Sequence, residues 1–416
     1  MKELLVSYRA WGQNLALGTL AFDGRETLFQ YSSAAIAQGL ELSPIRLPLR
    51  AAAYPDKPSD YLRLQHLPGL LHDSLPDGWG YRLMHRRMKA RGIDPHSVSP
   101  LDHLAMLGEH TMGALTYAPA NQEPLNATDM NLLELAKEVQ AVQASEDHEV
   151  LAEMLRAGGS PGGARPKALV YFNPDTQQMR TQASQLAGEQ AWLVKFAASD
   201  DAPDSCALEE LYARMARHCA MGMAATRFFE LTGGLCAFGT QRFDRQGPHR
   251  VHVHSLAGLL HADFQIPSVS YDDFFRLTRR ITRDHRELVK AVQRCVFNVL
   301  MHNRDDHAKN LSFMLDQNGD WRLAPPYDLT YCPGYRGEHF MDIAGQGKAP
   351  GRAHIVAAAL GAGLPKRDTQ AAIDALLAQC TPALLRELAT MLPIRGQTVA
   401  MVTKAMEANR VLLAAP

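Results

Sequence analysis

Three oxygen-bearing side chains, Asp305, Asn310 and Asp328, stand close together near the three-quarter point of the chain. A carboxylate can accept the proton of an attacking hydroxyl, while an amide oxygen and a second carboxylate hold a divalent cation against phosphate oxygens. That set suits phosphoryl transfer. Asn310 follows Asp305 by five residues, whereas Leu311 occupies the same offset from Asp306, so Asp305 is the aspartate in register.

The neighbouring sequence supplies the elements that must position these groups. Leu288, Val289, Val292, Val296, Val299 and Leu300 recur at helical spacing and predict a buried helix ending near Met301. It feeds the polar run 302–310, after which Leu311, Phe313 and Leu315 alternate as in a strand. An Asn-Gly turn lies in Gln317–Asp320, a second strand starts over Trp321–Ala324, and Tyr327-Asp328-Leu329 follows. Helix, polar loop and hairpin thus deliver the second carboxylate back toward the first. Protein kinases use the same D-x-x-x-x-N register, and Asn303-Arg304-Asp305 parallels their His-Arg-Asp. Alone, such spacing more often caps a helix; the flanking helix, the hairpin and Asp328 favour chemistry.

Phosphates also need cations and backbone donors. Lys195 interrupts the apolar strand Ala191–Ala197, where a charge is expensive to bury unless an anion meets it. Glu209 and Glu210, on a helix predicted over Ala207–Ala220, are equal candidates to pair with it. Gly158–Lys167 is glycine-rich enough to bring backbone N–H groups onto an anion. It is no Walker A loop, because Ala164 stands where that motif needs lysine, and it lacks G-x-G-x-x-G.

Lys and Arg number 43 against 44 Asp and Glu, a net charge of −1, so this chain is not expected to coat DNA or an anionic membrane unaided. Six cysteines, none as C-x-x-C, fit a reducing, cytoplasmic setting. No apolar run is long enough to span a bilayer, and the N-terminus carries Glu3, Arg9 and Asn14 where a leader core would run. His249, His252 and His254 put two imidazoles on one strand face, with no Cys or acidic residue at metal spacing. His302 and His307 beside Asp305 and Asp306 supply too few ligands for a metal hydrolase. His307 is expected to donate a hydrogen bond that fixes the catalytic loop.

Three regions are expected: 1–120, opening on strands Leu4–Tyr8, Leu15–Phe22 and Glu26–Tyr31 and containing a basic helix around Tyr81–Lys89; 121–247, with strands Ala168–Phe172, Ala191–Ala197 and Phe238–Phe243; and a mostly helical 248–416.

Together these pieces resemble the HipA family, serine/threonine kinase toxins of toxin–antitoxin pairs. The resemblance rests on Leu75–Gly80 (LPDGWG), Ser160–Lys167, Arg242–Arg245 (RFDR), His254–Phe264 (HSLAGLLHADF), Asn303–Ser312 (NRDDHAKNLS) and Ala324–Leu329 (APPYDL). It implies an α+β, two-lobed protein-kinase-like fold with an N-terminal β-containing subdomain and a mainly helical C-terminal lobe. It further implies ATP and Mg²⁺ as cofactors, Asp305 as catalytic aspartate, and Asn310 and Asp328 as metal ligands. Lys195, with Gly162, Gly163, Lys167 and His307, would serve the nucleotide, and Gln241 and Phe243 would hold adenine through their backbone. Ser160 falls at the family's inhibitory autophosphorylation serine. A phosphate there adds about −1.5 to −2 charges to a loop that must hold phosphates, so repulsion expels the loop. The implied partners are a HipB-like helix-turn-helix antitoxin, through which alone DNA is met, and a protein substrate of the aminoacyl-tRNA synthetase class, with no membrane. A small-molecule kinase and a non-catalytic co-repressor are the rival expectations.

Overall fold

Alternating burial along Lys2–Tyr8 (β1), with Leu4, Val6 and Tyr8 inward, is the pattern of a strand wet on one face. It pairs antiparallel with Leu15–Phe22 (β2), Leu4 opposite Leu20, and β2 pairs with Thr27–Tyr31 (β3). Tyr54–Pro55 (β4) and Leu115–Ala118 (β5) complete a sheet of order β4-β3-β2-β1-β5. The computed structural model describes residues 2–22, 26–55, 64–120, 129–145, 152–158, 162–181 and 185–415. Asp23 and Gly24, between β2 and β3, lie outside them.

The basic helix spans Gly78–Ala90 (α1), starting earlier than expected because Gly78 and Gly80 are poor helix formers that mask the first turn. Pro100–Leu107 (α2) begins with a Ser99/Asp102 capping box and a proline in its first turn. Leu132–Ala144 (α3) is capped the same way by Asn131 and Glu134. A second sheet of order β7-β6-β8-β10-β9 comprises Lys167–Phe172 (β6), Met179–Arg180 (β7), Gln190–Phe196 (β8), Thr226–Glu230 (β9) and Cys236–Gln241 (β10). Its core face, with Ala168, Val170, Phe172, Trp192 and Val194, packs against Trp79, Leu135 and Val139. The hairpin Arg245–Gln246 (β11) and His249–Arg250 (β12) follows. All of this except Thr226 falls in one compact unit, made of the chain to Ala202 together with Arg227–His254 and Gly258–His261.

The second unit comprises Pro203–Thr226, Ser255–Ala257 and the chain from Ala262 on. It contains the helices Ser205–His218 (α4), Tyr271–Thr282 (α5) and His285–Leu300 (α6), and the hairpin Ser312–Leu315 (β13) and Trp321–Leu323 (β14). It closes with Arg352–Gly361 (α7), Lys366–Gln379 (α8), Pro382–Ala389 (α9) and Gly396–Ala414 (α10). Phe274, Phe275, Phe297 and Phe313 are fully buried, each contributing about 1.5–3 kcal/mol from the area removed from water. Asp204, just before α4, accepts from Arg395 and Thr398 at the start of α10 and so ties the two helices together. Among the described residues, no helix is long and apolar enough to cross a membrane.

Candidate active site

The buried helix α6 ends with Met301 as its C-cap, as the periodicity requires, and the chain turns through His302 at a φ of 56°. The next residues separate two adjacent aspartates. Asp305 keeps 55% of its side chain exposed. Asp306 is 1% exposed and accepts from the Tyr271 hydroxyl, His339 Nδ1 and the Phe340 N–H. Asp305 is therefore open to solvent, while Asp306 braces the loop from below.

Asn310 Nδ2 donates to the backbone carbonyl of Asp305 at 2.8 Å. With its N–H₂ group turned inward, its carbonyl oxygen is the end suited to a hard cation. The loop-fixing bond expected of His307 is thus made by Asn310. His307 Nε2 stands 4.0 Å from Asp305 Oδ1, beyond hydrogen-bond reach, its Nδ1 has no partner among the described residues, and its ring packs between Phe264 and Phe340. Arg304 does not face an acceptor site either. Its guanidinium donates to the carbonyls of Pro333, Gly337 and Lys348.

The hairpin brings Asp328 back by named bonds. Leu323 N–H donates to Glu287 Oε2 and Arg294 Nη2 to the Ala324 carbonyl, so α6 holds the outgoing strand. The Tyr327 hydroxyl then donates to the carbonyl of Lys309 at 2.7 Å and lies 2.6 Å from Ser312 Oγ, fixing the residue before Asp328 to the residue before Asn310. Asp328 itself has a φ of 56°, a left-handed conformation that is rare for a residue with a side chain and that concentrates at functional positions.

In the other unit the cations meet. Lys167 on β6 lies directly opposite Lys195 on β8, and both are buried, at 4% and 8% exposure. Like charges facing each other across a strand pair repel, and burial sharpens the cost. Lys195 Nζ also sits 5.9 Å from the Phe238 ring centre. Lys167 Nζ donates to the Gly162 carbonyl at 2.5 Å, and Gly163 turns with a φ of 97° that favours glycine. Ser160, Gly159 and Pro161 lie outside the described residues. Gln241 ends β10 opposite Trp192, with Phe243 just beyond it; the Arg242 N–H between them donates to the Ala191 carbonyl.

Sequence reasoning missed what holds the glycine-rich segment. Asp77 Oδ2 accepts the Gly163 N–H at 2.6 Å, Trp79 Nε1 donates to the Lys167 carbonyl, and Trp79 N–H reaches the Gly163 carbonyl. The LPDGWG run is therefore a clamp on that segment. Of the two glutamates on α4, Glu210 is engaged by Arg214 and Arg217. Elsewhere in the first unit, His254 Nδ1 lies 2.6 Å from Asp73 Oδ2 and its Nε2 lies 3.0 Å from Ser43 Oγ, an acid–imidazole–hydroxyl array. Ser43 is wholly buried, which leaves no substrate path, and the array acts as a brace beneath the His254–Phe264 run.

Residues 159–384 match the HipA-like C-terminal domain, and residues 8–118 match the HipA N-terminal domain. The chain belongs to the HipA family. A solved complex of HipA with HipB and operator DNA from Shewanella oneidensis MR-1 is similar over 99% of this chain and 97% of that one, with a TM-score of 0.73 and 18% identity. The fold of this HipA-family chain is accordingly the two-lobed, kinase-like α+β fold. The proposed kinase Y4mE of Sinorhizobium fredii (strain NBRC 101917 / NGR234) is 25% identical over 258 residues, which make up 57% of this chain and about 60% of that relative's length. The proinflammatory kinase CtkA of Helicobacter pylori is more distant, with a TM-score of 0.42 and 11% identity over 55% of this chain and 87% of that one.

Proposed function

We propose that this HipA-family chain is an ATP- and Mg²⁺-dependent serine/threonine protein kinase and the toxin of a toxin–antitoxin pair. The observation that carries the reading is the Asn310-to-Asp305 hydrogen bond in the D-x-x-x-x-N register, backed by Asp328 delivered through Tyr327. In this reading the acceptor oxygen attacks the γ-phosphorus, the bond to the β–γ bridging oxygen breaks, ADP leaves, and the hydroxyl proton passes to Asp305. Asn310 and Asp328 offer the oxygen donors a Mg²⁺ ion takes, and the ion, when bound, offsets charge on the phosphates. Lys195 and Lys167 receive the phosphates, and Gln241 and Phe243 present their backbone to adenine.

Family membership supports Ser160 as the residue that this kinase modifies in itself, and an aminoacyl-tRNA synthetase as the class of target. A HipB-like antitoxin as partner is supported by the complex in which the Shewanella relative was solved. A net charge of −1 suits such a division, in which the antitoxin meets DNA in the cytoplasm.

The test is incubation of the purified chain with γ-labelled ATP and Mg²⁺, with mass spectrometry of the products. Label on Ser160 or on an added synthetase, lost in Asp305→Asn, supports the reading. Mg²⁺-dependent ATP binding with no transfer to any protein would overturn it in favour of a co-repressor or a small-molecule kinase.

A further inference from the structure

The first unit contains a cavity of about 700 Å³, of the size that small organic ligands occupy. The twin lysines do not line it. Its polar wall carries four guanidiniums, those of Arg9, Arg242, Arg245 and Arg250. Arg9 pairs with Glu109 at 2.6 Å, and its buried Nε has no partner among the described residues. Asp244 is shared, accepting from Arg242 through two bonds and from Arg245 through another. Arg250 donates to the carbonyls of Glu109 and Thr111 and faces no carboxylate in those bonds. Glu189, also on the wall, is taken by Arg180. Setting Glu109 and Asp244 against the four arginines leaves two positive charges.

Burial is felt in the ionisation of two of these groups. Burial, and then the neighbouring Arg242, pull Arg245 down to about 9. Burial brings Arg250 down to about 10. Apolar side chains line it too: Val170, which belongs to the core, and Leu186, which leaves 56% of its surface exposed.

We propose that this cavity binds a small organic phosphomonoester, its dianionic head on Arg9, Arg245 and Arg250 and its apolar body against Leu186 and Val170. Two surplus charges match a phosphate dianion, and guanidinium forks match its oxygens. Leu186, an otherwise wasteful exposed leucine, gains a partner. The site owes nothing to the phosphotransfer reading, because it shares none of Lys167, Lys195, Asp305, Asn310 or Asp328.

Calorimetric titration of the full chain with phenyl phosphate tests it, with benzoate, a monoanion on the same ring, as the comparison. Phenyl phosphate should bind, and benzoate should bind more weakly. Arg250→Gln should weaken binding about tenfold, the loss of one charged hydrogen bond. Arg9→Gln and Leu186→Asp, both at partly exposed positions, should weaken it too and carry the test if Arg250→Gln fails to fold. Lys195→Met should leave it unchanged. The proposal is overturned if phenyl phosphate does not bind at millimolar concentration, if the three cavity variants bind it like the parent, or if Lys195→Met abolishes binding, which would put the phosphate in the nucleotide site.

Discussion

Asp306 Oδ2 and His339 Nδ1 lie 2.8 Å apart, with both side chains sealed from solvent. The aspartate one residue earlier is more than half exposed. A single step along the chain thus divides two chemically identical groups between a sealed brace and open solvent.

Asp305→Asn should melt within about 0.5 kcal/mol of the parent, as exposed substitutions do, while phosphate transfer falls by about 10²–10⁴. Asp306→Ala should lose about 3–5 kcal/mol of stability, because it leaves the Tyr271 hydroxyl and His339 buried without their acceptor. Chemical denaturation of the two variants beside a transfer assay separates the roles. Equal loss of stability in both would refute the division.

The facing lysines make a second prediction. Lys195→Met should blunt the gain in stability that nucleotide gives, since it removes one of the two lysines that face each other across β6 and β8. MgATP at a hundredfold excess over its Kd should add about 2.7 kcal/mol to the parent by mass action. The variant should gain little. Differential scanning calorimetry with and without nucleotide reads both effects, and a full shift in Lys195→Met would remove Lys195 from the phosphate site.

The clamp on the glycine-rich segment predicts a local change. In Asp77→Ala, the Gly163 amide loses its acceptor, so hydrogen exchange at that amide should speed up about tenfold, the worth of one charged hydrogen bond. Exchange in β1 and β2 should stay as in the parent. Unchanged protection at Gly163 would mean that Asp77 does not hold the segment.

Acid should weaken the fold before carboxylates titrate. Burial lowers His103 to about 4 and His252 to about 3, against an ordinary value of 6.5. Between those values the unfolded chain binds protons that the folded chain refuses, so stability falls as pH drops from about 6.5 toward 4. Unfolding midpoints measured across that range should decline, and His103→Phe, which removes one such proton, should flatten the slope. A midpoint that rises as pH falls through this window would contradict the assignment.

Much of the segment from α6 through the hairpin was legible because its signals are local. Helical periodicity set the end of α6, and the Asn-Gly turn set the hairpin. The facing of Lys167 and Lys195 was not legible, because strand register depends on which rows of side chains find the core together. The Asp77–Gly163 bond joins residues far apart in the chain, and no spacing rule reports it. His307 misled for a related reason: an imidazole beside an aspartate suggests a bond, but packing between Phe264 and Phe340 turned the ring away. Helix α2 went unread although Ser99, Pro100 and Asp102 spell its start.

The chain's repeated passage between its two units has a practical result for anyone cutting the gene. A fragment ending at residue 202 keeps β8 but forfeits β10, its antiparallel neighbour, and so bares a row of unsatisfied backbone groups along a hydrophobic strand. The complementary fragment would carry β10 without β8, the strand it pairs with. Neither half is a transplantable cassette, and deletion mapping of this protein will report insolubility where point substitutions report function.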